Sequence, residues 1–288
     1  MSDPALRLAA AGALRQRYRD DGVVHLPKVL DAEMLELARQ GFDWSLANPS
    51  SAAQQLFPQD GTRFYQDLFN TLSWPHYDPL LRKADLGGLM AQLWGCENVW
   101  FFFEQVFHKQ GASRRTPWHQ DTSYFPVAGE DMAVMWISLD PVPVSQSLEF
   151  VRGSHRGRLF NGSAFTGDDD TAPLYDEAEM PRLPDIEADR ARFDIVSWPV
   201  EPGDALVFHP STLHGGGHTE TGGERRTISL RFFGDDCNFV QRPGVSKDSA
   251  VGFNRQETGS RDVSEFYEGL VPGDRFRHPD FPKLYARA

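Results

Sequence analysis

Residues 201–234 read EPGDALVFHPSTLHGGGHTETGGERRTISLRFFG. The EPGD turn signal precedes a short apolar run, ALVF, and a second run, RRTISLRFF, alternates polar and apolar residues at the strand period of two. Between them lies a loop of histidines, glycines and threonines, with no amphipathic helix of the kind that connects parallel strands. Residues 98–108, 131–140, 147–151 and 193–200 repeat the pattern, short runs rich in valine, isoleucine and aromatic residues set off by turns. Six such runs without intervening helices predict a wound or folded antiparallel barrel rather than a doubly wound sheet.

Ahead of these runs, residues 1–95 are expected to be mostly helical. Asp3-Pro4 reads as a helix start for residues 5–19, and residues 22–30 as a short strand and turn. Asp31 is positioned to cap a second helix, with Leu30 and Leu35 as a hydrophobic staple. Asp78-Pro79 reads as the start of a third helix, and residues 45–75 as a looser stretch. The core is expected over 96–240, carrying a long irregular insert at 156–192 that forms a lid or a pocket wall. Residues 241–288 form a C-terminal extension whose last 35 residues wrap the surface. One domain is expected over 1–288.

Composition narrows the function. Acidic residues number 41 against 29 basic ones, a formal charge of -12, which argues against nucleic acid or anionic membrane as the main partner. Much of the excess sits in residues 167–189, so it says little about any pocket. With only Cys96 and Cys237, neither a disulfide framework nor a C-x-x-C motif is available. No secretory leader and no apolar run of spanning length is legible, and the expectation is a cytoplasmic protein.

The chemistry points to residues 116–126, TPWHQDTSYFP. On an extended segment His119 and Asp121 project to the same side. One further histidine would complete a 2-His-1-carboxylate triad, which suits Fe(II) and leaves coordination positions open. His209, His214 and His218 all qualify. His214, followed directly by three glycines that let backbone approach closely, is favoured over the other two. A counter-charge for a dicarboxylate is sought in the run 224–233. Arg225, Thr227, Ser229 and Arg231 share one strand face, so a pocket-facing Arg225 brings a hydroxyl with it, whereas Arg226 would bring Ile228. Arg231 either holds an acidic substrate or pairs with Asp235 or Asp236.

The order of WHQD, PGDALVFHPSTLHGGG and RRTISLRF resembles the phytanoyl-CoA dioxygenase family of Fe(II)- and 2-oxoglutarate-dependent oxygenases. The likeness runs from residue 20 to residue 236. It implies a mainly β fold with flanking α, a distorted double-stranded β-helix of jelly-roll or cupin-like kind. It also implies His119, Asp121 and His214 as iron ligands, and Arg225 as the cosubstrate arginine with Thr227 beside it. Lys109, Gln105 and Trp136 match positions lining the cosubstrate pocket. Trp118, Tyr124, Phe125, Arg152 and Arg231 are candidates for the substrate side. The implied cofactors are Fe(II), 2-oxoglutarate and O2. The implied reaction hydroxylates a small molecule and releases succinate and CO2, and Arg114, Arg115, Arg152 and Arg231 are compatible with an anionic one. Arg152 stands where the family often has proline, which weakens any transfer of substrate identity. Two other classes compete: a metal-dependent hydrolase or isomerase on a similar barrel, and a non-catalytic metabolite-binding barrel.

Overall fold

A computed structural model describes residues 4–166, 168–176, 179–243 and 261–287. The elements in chain order are α1 (Pro4–Asp21), β1 (Val23–Leu26), α2 (Ala32–Ala47), β2 (Gln54–Gln55), β3 (Arg63–Leu68), α3 (Trp74–Lys83) and α4 (Leu86–Trp94). There follow β4 (Asn98–Gln110), β5 (Thr116–His119), β6 (Val127–Ala128), β7 (Met132–Ser138), β8 (Leu148–Val151) and β9 (Ile195–Ser197). The last are β10 (Ala205–Phe208), β11 (His214–Gly216), β12 (Glu224–Phe233), β13 (Asn238–Phe239) and β14 (Lys283–Ala286).

All six expected strands form, and every ladder between them is antiparallel. The larger sheet runs β1-β10-β7-β12-β4-β3-β2, with β14 also on β4, and a smaller sheet runs β5-β11-β8-β9. Neither closes into a barrel among the described residues. Alternation along β12 divides its side chains as predicted: Ile228, Leu230 and Phe232 sit in a core with Phe42, Tyr77 and Met90 of the helices. The opposite face of the large sheet supplies Trp136, Leu206 and Phe208, which pack with Leu148 and Phe150 of the small sheet. The two sheets therefore face one another across an apolar layer.

The N-terminal part departs from expectation in two places. Asp31 does cap α2, accepting from Met34 N at 2.9 Å, and Leu30 and Leu35 are buried in one cluster, but the cap at Asp3 lies outside the described residues. Asp78-Pro79 starts no helix; Pro79 lies inside α3, and the chain breaks at Asp85, which is left-handed at φ 45. The Asp85 carboxylate then accepts from Gly88 N at 3.1 Å and caps a separate helix, α4. The stretch 45–75 is not loose either, because β3 pairs with β4 along six residues.

The C-terminal residues do more than wrap the surface. Phe266, Phe276 and Phe281 are buried among Phe69, Phe102 and Phe233, and β14 adds a strand beside β4. Burying three phenylalanines is worth roughly 5–9 kcal/mol in area terms, so this segment is part of the core. Among the described residues no helix is long and apolar enough to cross a membrane.

Candidate metal centre and its pocket

His119 ends β5 and His214 opens β11, and the two are direct cross-strand partners. Their ring centroids lie 4.2 Å apart. Asp121 is not on the strand; it begins a short 3-10 turn. Gln120 between them is extended at φ -120, ψ 122, so alternation continues one residue past the strand and turns both side chains the same way. Asp121 Oδ1 stands 3.3 Å from His119 Nε2 and 3.8 Å from His214 Nε2.

The hydrogen-bond pattern fixes which ring nitrogens face inward. His119 Nδ1 is 2.8 Å from Pro117 O, and His214 Nδ1 is 2.9 Å from Thr212 O. A carbonyl only accepts, so each Nδ1 carries the proton and each Nε2 is left with its lone pair. Two imidazole lone pairs and a carboxylate oxygen thus converge, with ligand atoms all within 4.8 Å of one another. Three acceptors crowded together repel unless a cation sits among them, and this donor set fits Fe(II). Burial, with the neighbouring His119, pushes His214 down to about 3, so it stays neutral at ordinary pH.

Asp121 is held on both sides. Arg231 Nη2 donates to its Oδ2 at 2.8 Å, leaving Oδ1 to face the histidines. Burial alone would raise this carboxyl, yet the Arg231 charge holds it well below the usual carboxylate range. Arg231 therefore pairs with neither of its expected partners. Asp235 accepts instead from Glu97 and Asn98 backbone, and Asp236 from Glu130 and Asp131 backbone. The other two histidine candidates also find different work. His209 Nε2 donates to Gly129 O at 3.0 Å, and His218 contributes only its carbonyl, 3.3 Å from Arg225 Nη1.

A cavity of about 220 Å³ opens beside the three ligands. Arg225, Thr227, Lys109, Gln105 and Trp136 all line it, as do Tyr124, Phe125 and Arg231. Arg225 is buried, and burial brings it down to about 10. Its Nη1 donates to Gln146 O and His218 O and its Nη2 to Gly217 O, which accounts for three of its five N–H groups. Nε is enclosed without a partner, so the cation is oriented by backbone but not neutralised. Gly217 makes room for it: φ is 75, and a Cβ there would stand 2.8 Å from Arg225 Nη2. Lys109 reaches the wall with all three donors taken, by Arg114 O, Thr116 Oγ1 and Gly217 O. Burial lowers its pKa well below the ordinary lysine value, and Arg225 adds to this.

Two substrate-side candidates are placed elsewhere. Trp118 is one residue from His119 on the same strand and so faces the other way, among Val151, Leu183 and Leu213, with Nε1 donating to Glu187 at 2.6 Å. Arg152 follows β8 on the outside and pairs with Asp194 at 3.4 Å. Sequence reading missed other wall residues: Gln54, Leu56, Gln66 and Leu68 from β2, β3 and the turn between them, and Phe165 and Leu174 from the insert. The PQDG turn at 58–61, between residues 54–55 and 63–68, was the available hairpin signal. Nothing comparable marks Phe165, which adopts a left-handed φ of 52 and sets its ring 5.4 Å from that of His119.

Residues 18–227 match the sequence profile of the family described as Phytanoyl-CoA dioxygenase (PhyH). The chain belongs to the phytanoyl-CoA dioxygenase family. The human peroxisomal phytanoyl-CoA dioxygenase is 28% identical over 173 residues, 56% of this chain and 49% of that protein. A probable phytanoyl-CoA dioxygenase of Caenorhabditis elegans is 28% identical over 138 residues, 47% of this chain and 42% of that one. The chain spans about half the length of the curated relatives it matches. Among solved structures, the epimerase SnoN in complex with Fe3+, alpha ketoglutarate and nogalamycin RO aligns with a TM-score of 0.69 at 25% identity. That alignment covers 96% of this chain and 99% of SnoN. The alpha ketoglutarate dependent carbocyclase SnoK shares the fold, with a TM-score of 0.67 at 20% identity over 94% of this chain and 95% of its own. One expectation is overturned here. The family relatives of human, mouse, rat and cow are peroxisomal proteins, which points away from a cytoplasmic location.

Proposed function

We propose that this chain is an Fe(II)- and 2-oxoglutarate-dependent dioxygenase that hydroxylates a small organic molecule on a distorted double-stranded β-helix. The observation that carries the reading is the convergence of His119 Nε2, His214 Nε2 and Asp121 Oδ1, beside a buried arginine with unmatched N–H groups. In this reading His119, Asp121 and His214 hold the iron. Arg225, with the Thr227 hydroxyl on the same strand face, takes the far carboxylate of 2-oxoglutarate by paired charge-assisted hydrogen bonds. Trp136 and Gln105 form the wall. Lys109, tied to three oxygens, fixes the Gly217 carbonyl that in turn orients Arg225.

Iron and cosubstrate supply the oxidising chemistry, with succinate and CO2 as coproducts and O2 as oxidant. The protein's part is to hold the ligands in one tautomer, keep Oδ1 of Asp121 facing the metal position and shield the site with Tyr124, Phe125 and Phe165. A hydrolase or isomerase would leave Arg225 and Thr227 without a task. The family resemblance favours oxygenation, while SnoN and SnoK are an epimerase and a carbocyclase. Product analysis distinguishes these outcomes. Substrate-dependent succinate release with gain of one oxygen atom supports hydroxylation. An unchanged mass points to epimerisation and loss of two hydrogens to ring closure. No succinate with any of a panel of small organic acids, amino acids and neutral metabolites counts against the reading.

A further inference from the structure

Arg225 and Arg231 lie on the same face of β12, six residues apart, with roughly 20 Å of strand between their Cα atoms. A five-carbon dicarboxylate engaged at Arg225 cannot also serve Arg231. Arg231 is nonetheless buried at 7% exposure and lines the same cavity. Only its Nη2 is hydrogen-bonded, to Gln105 Oε1 at 2.6 Å and Asp121 Oδ2 at 2.8 Å. Nε and Nη1 are enclosed without partners, beside the rings of Phe103 and Phe125. Rings stabilise a cation's face but leave its N–H edges unmatched, and an unmatched buried charge is costly.

The charges of the wall argue the same way. Lys109, Arg225 and Arg231 against Asp121 give three positive and one negative, a formal +2. Iron(II) and the dianion of 2-oxoglutarate cancel each other and leave that surplus standing. Even with Lys109 left out of the sum, one positive charge remains. The same cavity is lined by Leu56, Leu68, Phe165 and Leu174, and Gln105 Nε2 passes the polar contact on to Gln66 Oε1 at 3.0 Å.

We infer that the substrate is an organic monoanion of the carboxylate class on a modest aliphatic body, with its charged group drawn to the Arg231–Gln105 end of the cavity. The inference rests on the proposed function for which end of the cavity is left to substrate. The anionic head takes up guanidinium N–H groups that the protein itself leaves unmatched, while the apolar body lies against the leucines and Phe165. Cavity size limits the body to a short chain or a single ring.

The test uses hexanoate and its neutral counterpart hexanamide, titrated calorimetrically into the full chain under anaerobic conditions with iron(II) and saturating 2-oxoglutarate. Hexanoate should bind at least tenfold more tightly than hexanamide. Arg231→Gln, which keeps a donor for Asp121 Oδ2, should remove the preference. Equal affinities in the parent protein, or a preference unchanged in Arg231→Gln, would overturn the inference. Should that variant not fold, Arg231→Lys replaces it: hexanoate should weaken while hexanamide does not, and equal weakening of both counts against the idea. A missing response to 2-oxoglutarate in the same experiment would sink the cosubstrate reading separately. The hexanoate comparison is then made with iron(II) alone.

Discussion

His119 and His214 face each other across the β5–β11 ladder, and each ring is pinned by the carbonyl two residues before it. The same local device, used on two neighbouring strands, aims both Nε2 atoms at one point. Register, rather than loop conformation, therefore sets the separation of the two nitrogen ligands.

Removing either histidine breaks the site without opening the large core. His119→Ala and His214→Ala should fold with near-parental melting temperature when metal-free. Iron(II) affinity should fall by more than about 100-fold, beyond the loss typical of outer-shell partners. Metal titration with circular dichroism as the folding control checks both halves. Parental iron affinity in a folded His119→Ala protein contradicts the assignment.

Arg225→Ala should cost about 2–5 kcal/mol of 2-oxoglutarate binding, the range for truncating one member of a buried charge pair, with iron affinity little changed. It also strips a donor from the Gln146, Gly217 and His218 carbonyls, so a lower melting temperature is expected too. Arg225→Lys should recover only part of the binding, since one ammonium cannot supply paired planar donors.

Gly217→Ala places a methyl 2.8 Å from Arg225 Nη2 at a residue with φ 75. The conformational cost is about 1–2 kcal/mol, and the displaced guanidinium should raise the 2-oxoglutarate Kd as well. Thermal unfolding and cosubstrate titration on the same variant measure the two effects. An unaltered Kd would show that Arg225 does not bind through its present position.

Glu104 makes a pH prediction that is independent of the metal. It faces the helices with Oε1 accepting from Asn70 N at 3.1 Å, and burial pushes it up from 4.5 to about 8. The folded chain keeps this proton while the unfolded chain releases it above pH 4.5. The stability it contributes is therefore full below 4.5 and is lost as pH rises toward 8. Denaturant unfolding across that window should show a decline of a few kcal/mol, and Glu104→Gln should flatten it. A parental slope in the variant would place the effect elsewhere.

What was legible in the sequence follows from periodicity. β12 declared both of its faces, because Ile228, Leu230 and Phe232 alternate with Arg225, Thr227, Ser229 and Arg231 over an uninterrupted run. Parity also reads correctly across Gln120. The same rule, applied to Trp118, would have turned it away from the cavity, so that error was one of application. Other parts were illegible for physical reasons. Gln54 and Gln66 reach the wall only through long-range pairing of β3 with β4. The break at Asp85 depends on a left-handed backbone that no residue pattern announces. Burial of the C-terminal phenylalanines is decided by a core assembled from distant segments.

In the proposed function one pocket holds iron(II) at His119, Asp121 and His214 and 2-oxoglutarate at Arg225. Anaerobic addition of both to the full chain, followed by visible absorption, tests it most directly. A weak metal-to-ligand charge-transfer band is expected that requires both components, is absent in His119→Ala and needs far more 2-oxoglutarate in Arg225→Ala. No band and no cosubstrate binding in the folded, iron-loaded parent protein, or a band unaffected by either substitution, would contradict it.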